Sequence, residues 1–170
     1  MEEIELKVIN VDEKKIEEQF IKFGAKKIAD ELIIEKYYDF DDDRITKSKG
    51  MFRLRKAGEK IEFAYKQRKN VKDFLVFDEF ETEVNDFDTV DNIIEKLGFK
   101  TIISRRKNRK TFIFKKLKIE IHKYPNIPAF FELEGTKEEI NKFLDILGYK
   151  MSQTTSMTDT EIINSYKKQD

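Results

Sequence analysis

Five pairs of like-charged residues recur along this chain with one residue between the members: Glu3 and Glu5, Arg53 and Arg55, Glu79 and Glu81, Lys107 and Arg109, Glu132 and Glu134. Lys7 extends the first pair, and Lys66 stands beside Ala64 on a fourth basic stretch. In a β-strand successive side chains point to opposite faces, so each pair shares a face. Ile4, Leu6 and Val8 then take the other face, where a core can cover them. Carboxylates in a row are ligands for hard divalent ions. Arginines in a row grip phosphate oxygens in a bidentate fork, and lysines act as point charges. The two sets together are what phosphoryl or nucleotidyl transfer requires: carboxylates for metal, cations for phosphate.

Burying a dozen unpaired charges costs several kcal/mol each, which excludes a dry interior behind these faces. A wet hollow holding a polyanion and metal ions avoids that cost. The chain has no glycine-rich phosphate loop, so the cradle is expected to be made of side chains.

Taken singly, each pair is more often a solvated strand face than a site in a chain that is 40% charged. Other features read as structural. His122, the one histidine, is expected at the surface or in a hydrogen bond. Arg105, Arg106 and Lys107 read as an exposed basic patch, and Asp41 to Asp43 as solvated loop. Tyr37, Tyr38 and Tyr65 read as sheet packing.

The elements that must carry these residues follow from periodicity. Strands are expected at the opening residues, Lys26–Phe40, Met51–Arg55, Ile61–Lys66, Phe77–Val84, Thr101–Ile103, Lys110–Phe114, Leu117–Tyr124 and Phe130–Glu134. Asp12 is a helix cap before Ile16, Phe20 and Phe23, and Gly24 is the stop. A second helix is expected over about Asp88–Leu97, ended by Gly98. A third opens on Thr136 with Glu139 three residues on, a capping-box spacing, and ends at Gly148. Thr158–Lys167 reads as a short last helix. Asp39 to Gly50 reads as a mobile polar loop. A Glu-x-Glu strand followed by a helix ending in glycine thus recurs three times, which suggests pseudo-symmetry inside one domain spanning 1–170.

The length of 170 residues and 15 phenylalanines allow a real core. Thirty-four basic and 34 acidic residues cancel, against the basic excess of a general nucleic-acid binder. With no cysteine, disulfides and thiolate zinc sites are impossible. No apolar run reaches the ~20 residues of a membrane helix, and the first residues lack a secretory signal pattern. These features lead us to expect a cytoplasmic protein with neither nucleic acid nor membrane as partner. The fold class expected is α+β: a closed eight-stranded antiparallel β-barrel, or tunnel, with flanking helices.

These residues resemble the CYTH superfamily, the triphosphate tunnel metalloenzymes. Glu3-Ile4-Glu5-Leu6-Lys7 matches its Glu-x-Glu-x-Lys opening, Arg53-Leu54-Arg55 its Arg-x-Arg strand, and Tyr65-Lys66 the following lysine strand. Glu79 to Val84 is similar to its central acidic strand, Lys107-Asn108-Arg109 to its Lys-x-Arg strand, and Glu132-Leu133-Glu134 to its closing Glu-x-Glu. One position departs: His122 stands where the family commonly has an Asp, with Glu120 on the same face.

The resemblance implies a triphosphate substrate, nucleoside or other, and Mg²⁺ or Mn²⁺ as cofactor; family members are often dimeric, so a homodimer is compatible. It implies Glu3, Glu5, Glu132 and Glu134 as metal ligands. Lys7, Arg53, Arg55, Lys66, Glu81, Lys107 and Arg109 are the triphosphate-binding set. Lys7, Glu5 and Glu134 are the catalytic candidates, Lys7 as a base if cationic neighbours depress its pKa. The leading expectation is a class IV adenylyl cyclase converting ATP to cyclic AMP and pyrophosphate. The alternatives are a triphosphatase acting on tripolyphosphate, thiamine triphosphate or a nucleoside triphosphate, and a non-catalytic sensor.

Overall fold

Eight antiparallel strands close on themselves in a computed structural model that describes residues 2–168. The strands are β1 (Glu2–Val11), β2 (Lys26–Asp39), β3 (Gly50–Ala57), β4 (Lys60–Lys69), β5 (Leu75–Glu83), β6 (Lys100–Phe114), β7 (Leu117–Lys123) and β8 (Ala129–Glu134). Their order around the closed barrel is β1-β5-β4-β3-β2-β6-β7-β8. Five helices flank it: α1 (Glu13–Lys22), α2 (Arg44–Lys47), α3 (Phe87–Lys96), α4 (Lys137–Leu147) and α5 (Asp159–Lys167). None of them is long and apolar enough to cross a membrane.

Contacts divide the chain into two compact units. One comprises Glu2, Glu31–Lys69 and Phe77–Lys107; the other comprises Glu3–Asp30, Asn70–Val76 and 108–168.

In the first unit, Leu54 on β3, Ile61 on β4 and Tyr38 on β2 pack under α3, whose Ile94 is buried, with Val90 and Phe87 alongside. In the second, Leu6 and Val8 on β1, Ile119 and Ile121 on β7, and Phe131 and Leu133 on β8 meet Phe20 of α1 and Phe143 of α4. A third cluster seats Ile162 of α5 on Tyr124, Ile127 and Phe130. α3 in the first unit and α1 and α4 in the second cover the apolar face of the strands, whereas α5 packs on Tyr124 and Phe130, which share the face of His122 and Glu132. The charged face of the same strands is therefore the inward face of the barrel, since side chains alternate in and out along every strand.

The local signals explain the helix ends. Asp12 accepts from the backbone N–H of Lys14 and Lys15 at 3.1 and 3.0 Å and caps α1. Thr136 and Glu139 form the full capping box of α4. Gly24, Gly98 and Gly148 follow α1, α3 and α4 with φ of +92°, +90° and +80°, a left-handed turn that a side chain resists.

Two expectations are corrected. Asp39 to Gly50 is not a free loop. The buried Asp39 carboxylate accepts from the N–H of Phe40, Ile45 and Thr46 at 2.8, 3.0 and 2.8 Å and winds 44–47 into the short α2. Burial pushes the Asp39 pKa up, but these donors outweigh it and hold the group ionised below its usual range. The strands expected at 101–103 and 110–114 are one strand, β6, of 15 residues. The polar stretch between them continues the alternation, with Lys107 and Arg109 buried and Ser104, Arg106 and Asn108 exposed.

Candidate functional site: two charged inward faces

On the second unit, strand register places the charges in rows. Glu120 pairs with Glu132, which pairs in turn with Lys7. Glu134 lies between Lys118 and Glu5. His122 lies between Arg109 and Phe130.

Lys7 is 2% exposed, and its Nζ sits 2.7 Å from a carboxylate oxygen of both Glu5 and Glu132. Burial alone would lower its pKa. The carboxylates of Glu132, Glu5 and Asp159 outweigh burial and raise it well above the ordinary lysine value. The condition for Lys7 as a base, cationic neighbours, is therefore not met: its neighbours are anions, and it is a fixed ammonium.

Glu120 is buried, with Oε1 3.3 Å from Nη1 of Arg109 and 3.3 Å from Nζ of Lys118. Its other oxygen lies 3.3 Å from Nε2 of His122. Burial pushes its pKa up, but Lys118, His122 and Arg109 hold it well below the usual carboxylate range. Glu134 bonds to Lys118 at 2.7 Å. Its pKa is nevertheless raised, by burial first and by the nearby charges of Glu132 and Glu120, against the pull of Lys118.

His122 is not at the surface. It is 3% exposed, its Nδ1 3.2 Å from Asp159 Oδ2 and its ring 5.0 Å from that of Phe130. Asp159 also accepts from the Tyr124 hydroxyl at 2.8 Å. The backbone of Lys7 bonds both ways to Thr155, so the segment leading into α5 is fastened to β1 as well.

Five carboxylates on this face (Glu5, Glu120, Glu132, Glu134, Asp159) meet three fixed cations (Lys7, Arg109, Lys118) and one imidazole. The surplus is negative and suits a bound cation. Ligand atoms of Glu120, His122 and Glu132 lie within 4.8 Å of one another, a donor set that fits a divalent ion. Of the four residues expected to bind metal, only Glu132 is in this trio. Glu5 is tied to Lys7, Glu134 is tied to Lys118, and Glu3 is half-buried near the start of β1.

The first unit carries the opposite balance. Register sets Glu35 beside Arg55 and Arg55 beside Glu62, Tyr37 beside Arg53, and Met51 beside Lys66. Arg55 Nε donates to Glu62 at 2.5 Å. Lys66 lies 3.2 Å from Glu79 and over the Phe77 ring. Arg53 is 8% exposed and reaches Glu81 and Glu79 at 3.5 and 3.8 Å; its buried Nε has no hydrogen-bond partner among the described residues. A buried N–H left unsatisfied is costly, and a phosphate oxygen would satisfy it. Glu81 is the weak member of the expected phosphate set. Its carboxylate repels phosphate, and what it touches are Arg53 and, at 3.8 Å, Arg55.

The expected basic patch at 105–107 is mostly inward. Arg105 donates through Nε to the fully buried Glu35 at 2.5 Å and through Nη2 to the Tyr37 hydroxyl at 3.1 Å, Lys107 is buried, and only Arg106 is exposed. Five cations (Arg53, Arg55, Lys66, Arg105, Lys107) thus stand against four carboxylates (Glu35, Glu62, Glu79, Glu81).

Glu35, Arg105 and Asp159 were not among the expected site residues. Glu35 had a signal, the one carboxylate in Ile33–Tyr38, on the same strand face as Ile33 and Tyr37. Asp159 had only the look of a helix start, between Thr158 and Glu161.

Residues 1–160 match the CYTH domain. A Methanocaldococcus jannaschii protein named as a putative adenylate cyclase is 28% identical over 142 residues, covering 84% of this chain and 81% of its own. A solved structure from Vibrio parahaemolyticus, titled a putative adenylate cyclase, has a TM-score of 0.84 at 14% identity, covering 95% of this chain and 97% of that one. A Hippeastrum protein, whose title gives a putative adenylyl cyclase that reveals a dominant triphosphatase activity, has a TM-score of 0.71 at 13% identity over 96% of this chain and 95% of its own.

Proposed function

Because this chain belongs to the CYTH domain family, a metal-dependent family of triphosphate chemistry, we propose that it hydrolyses a linear triphosphate. The observation that carries this reading is the composition of the inward faces. Among the described residues they offer fixed cations, carboxylates, one imidazole and the hydroxyls of Tyr37, Thr111 and Tyr124, but no Asn or Gln. Charge alone recognises a polyphosphate, and the amide side chains that bond adenine bidentately are missing from these positions.

Arg53, Arg55, Lys66, Lys107 and Arg109 bind the phosphate oxygens and spread the charge that develops on the leaving group. Glu120, His122 and Glu132 would hold a divalent ion, which when bound neutralises phosphate charge and acidifies coordinated water. Lys7 keeps Glu5 and Glu132 in place as their shared counter-ion. Glu134, outside the trio, is the group we assign to accept the proton of the attacking water. A new bond forms between water oxygen and the terminal phosphorus, and the bridging oxygen–phosphorus bond breaks. The products from tripolyphosphate are pyrophosphate and orthophosphate.

The second reading is cyclisation of ATP, favoured by the name of the 28% identical relative. Incubation with ATP or tripolyphosphate and Mn²⁺, assayed separately for orthophosphate and cyclic AMP, decides between them. We expect orthophosphate from tripolyphosphate and no cyclic AMP. Cyclic AMP as the main product overturns the hydrolytic assignment, and neither product from either substrate overturns both.

A further inference from the structure

Glu120, His122 and Glu132 differ from every other charged cluster of the inward faces in one chemical respect: the donor set includes nitrogen. All three are buried, at 4%, 3% and 7% exposure. The imidazole is not loosely placed. Asp159, the first residue of α5, accepts at Nδ1 from one side, and Phe130 lies along the ring. With Nδ1 engaged by a carboxylate, Nε2 is the nitrogen directed at Glu120, 3.3 Å away. A carboxylate behind a histidine, fixing its orientation so that the far nitrogen meets a metal, is a recurrent arrangement in metalloproteins. Asp159 is itself held, by the Tyr124 hydroxyl at 2.8 Å and by the burial of Ile162 three residues on.

We propose that this trio is a mixed imidazole–carboxylate site selective for a borderline first-row ion, of the Zn²⁺, Co²⁺ or Ni²⁺ class, over Mg²⁺, with His122 Nε2 as a ligand and Asp159 as its positioning residue. Oxygen-only sites suit Mg²⁺, Ca²⁺ and Mn²⁺, and one imidazole moves the preference along the Irving–Williams order. The inference deepens the function proposed above by naming the ion class of the same site, and it rests on that reading only for the use of the ion. The chain contains one histidine and no cysteine, so an imidazole-dependent preference can arise only here and a thiolate-dependent one nowhere.

The test uses the full, tag-free chain without substrate. The ¹⁵N signals of the single imidazole are followed as Zn²⁺ is added, and Zn²⁺ and Mg²⁺ affinities are measured by calorimetry. We expect the Nε2 signal to shift while Nδ1 keeps its proton, and Zn²⁺ to bind at least about 100-fold more tightly than Mg²⁺. His122→Asp should lower Zn²⁺ affinity at least about tenfold and leave Mg²⁺ within about threefold. Asp159→Asn should weaken Zn²⁺ about 10-fold or more and alter the Nδ1 signal, which a merely structural role would not do. An unmoved Nε2 signal in the wild-type chain overturns the proposal, and this arm decides even where a variant fails to fold. Tripolyphosphate hydrolysis is assayed on the same preparation with Zn²⁺, Co²⁺, Mn²⁺ and Mg²⁺ in turn, and counts as present if any of them supports it. Hydrolysis without an imidazole response overturns the site and spares the function; an imidazole response without hydrolysis does the reverse.

Discussion

Lys7 shows how much a residue's meaning depends on partners far away in sequence. As part of Glu3-x-Glu5-x-Lys7 it was legible as one of a row of charges. That its ammonium is held between Glu5 and Glu132 was not, because β8 pairing is invisible from β1 alone. Removing one member of a buried pair leaves the other uncompensated, so Lys7→Ala should destabilise by about 3–5 kcal/mol in denaturant titration. A divalent ion should recover part of that loss by replacing the missing positive charge. Glu132→Gln, which removes a ligand of the proposed ion site, should cut triphosphate hydrolysis at least about 100-fold in steady-state assays.

Glu62 supplies the pH dependence. Burial pushes its pKa up, but Arg55, Lys60 and Arg53 outweigh it and hold it at about 2, against an ordinary value of 4.5. A depressed carboxylate contributes stability that is present above the unfolded value and lost as pH falls through the folded one. The contribution is therefore full above about pH 4.5 and gone near pH 2. Glu62→Gln should cost about 3 kcal/mol at pH 7 and converge with wild type near pH 2, measured by urea melts at each pH.

At the scale of elements, the alternation of charged and apolar residues was enough to find the strands, and cap residues and glycines were enough to end the helices. Thr136→Ala, which opens the capping box of α4, should cost about 1 kcal/mol. What alternation could not show is where polar sequence is held by a single buried acceptor. Asp39 organises the backbone of 40–46 from one carboxylate, and nothing in a run of aspartates marks which one is inside. The same limit hid α5 as part of the site. Its sequence reads only as a short last helix, yet Ile162 is fully buried and Asp159 reaches His122. Ile162→Ala should cost about 2–4 kcal/mol and, by hydrogen exchange, loosen α5 before the strands it covers.

For the whole molecule, function is linked to stability by mass action. A triphosphate with its ion at about 100 times Kd should add about 2.7 kcal/mol to unfolding, seen as a rise in Tm that neither component gives fully alone. The fold class was readable because five charged pairs share one spacing, and a repeated inward face implies a sheet that encloses something. That His122 is buried was not readable, since its partner Asp159 stands at the start of a helix 37 residues downstream.

Closure of the eight strands has a consequence for company as well as for chemistry. Every strand has a neighbour on both sides, so strand addition is left only the stretches outside those registers, such as 26–32 of β2 beyond its pairing with β3. A partner would otherwise meet helices and outward side chains, on the face of the sheet opposite the charged rows.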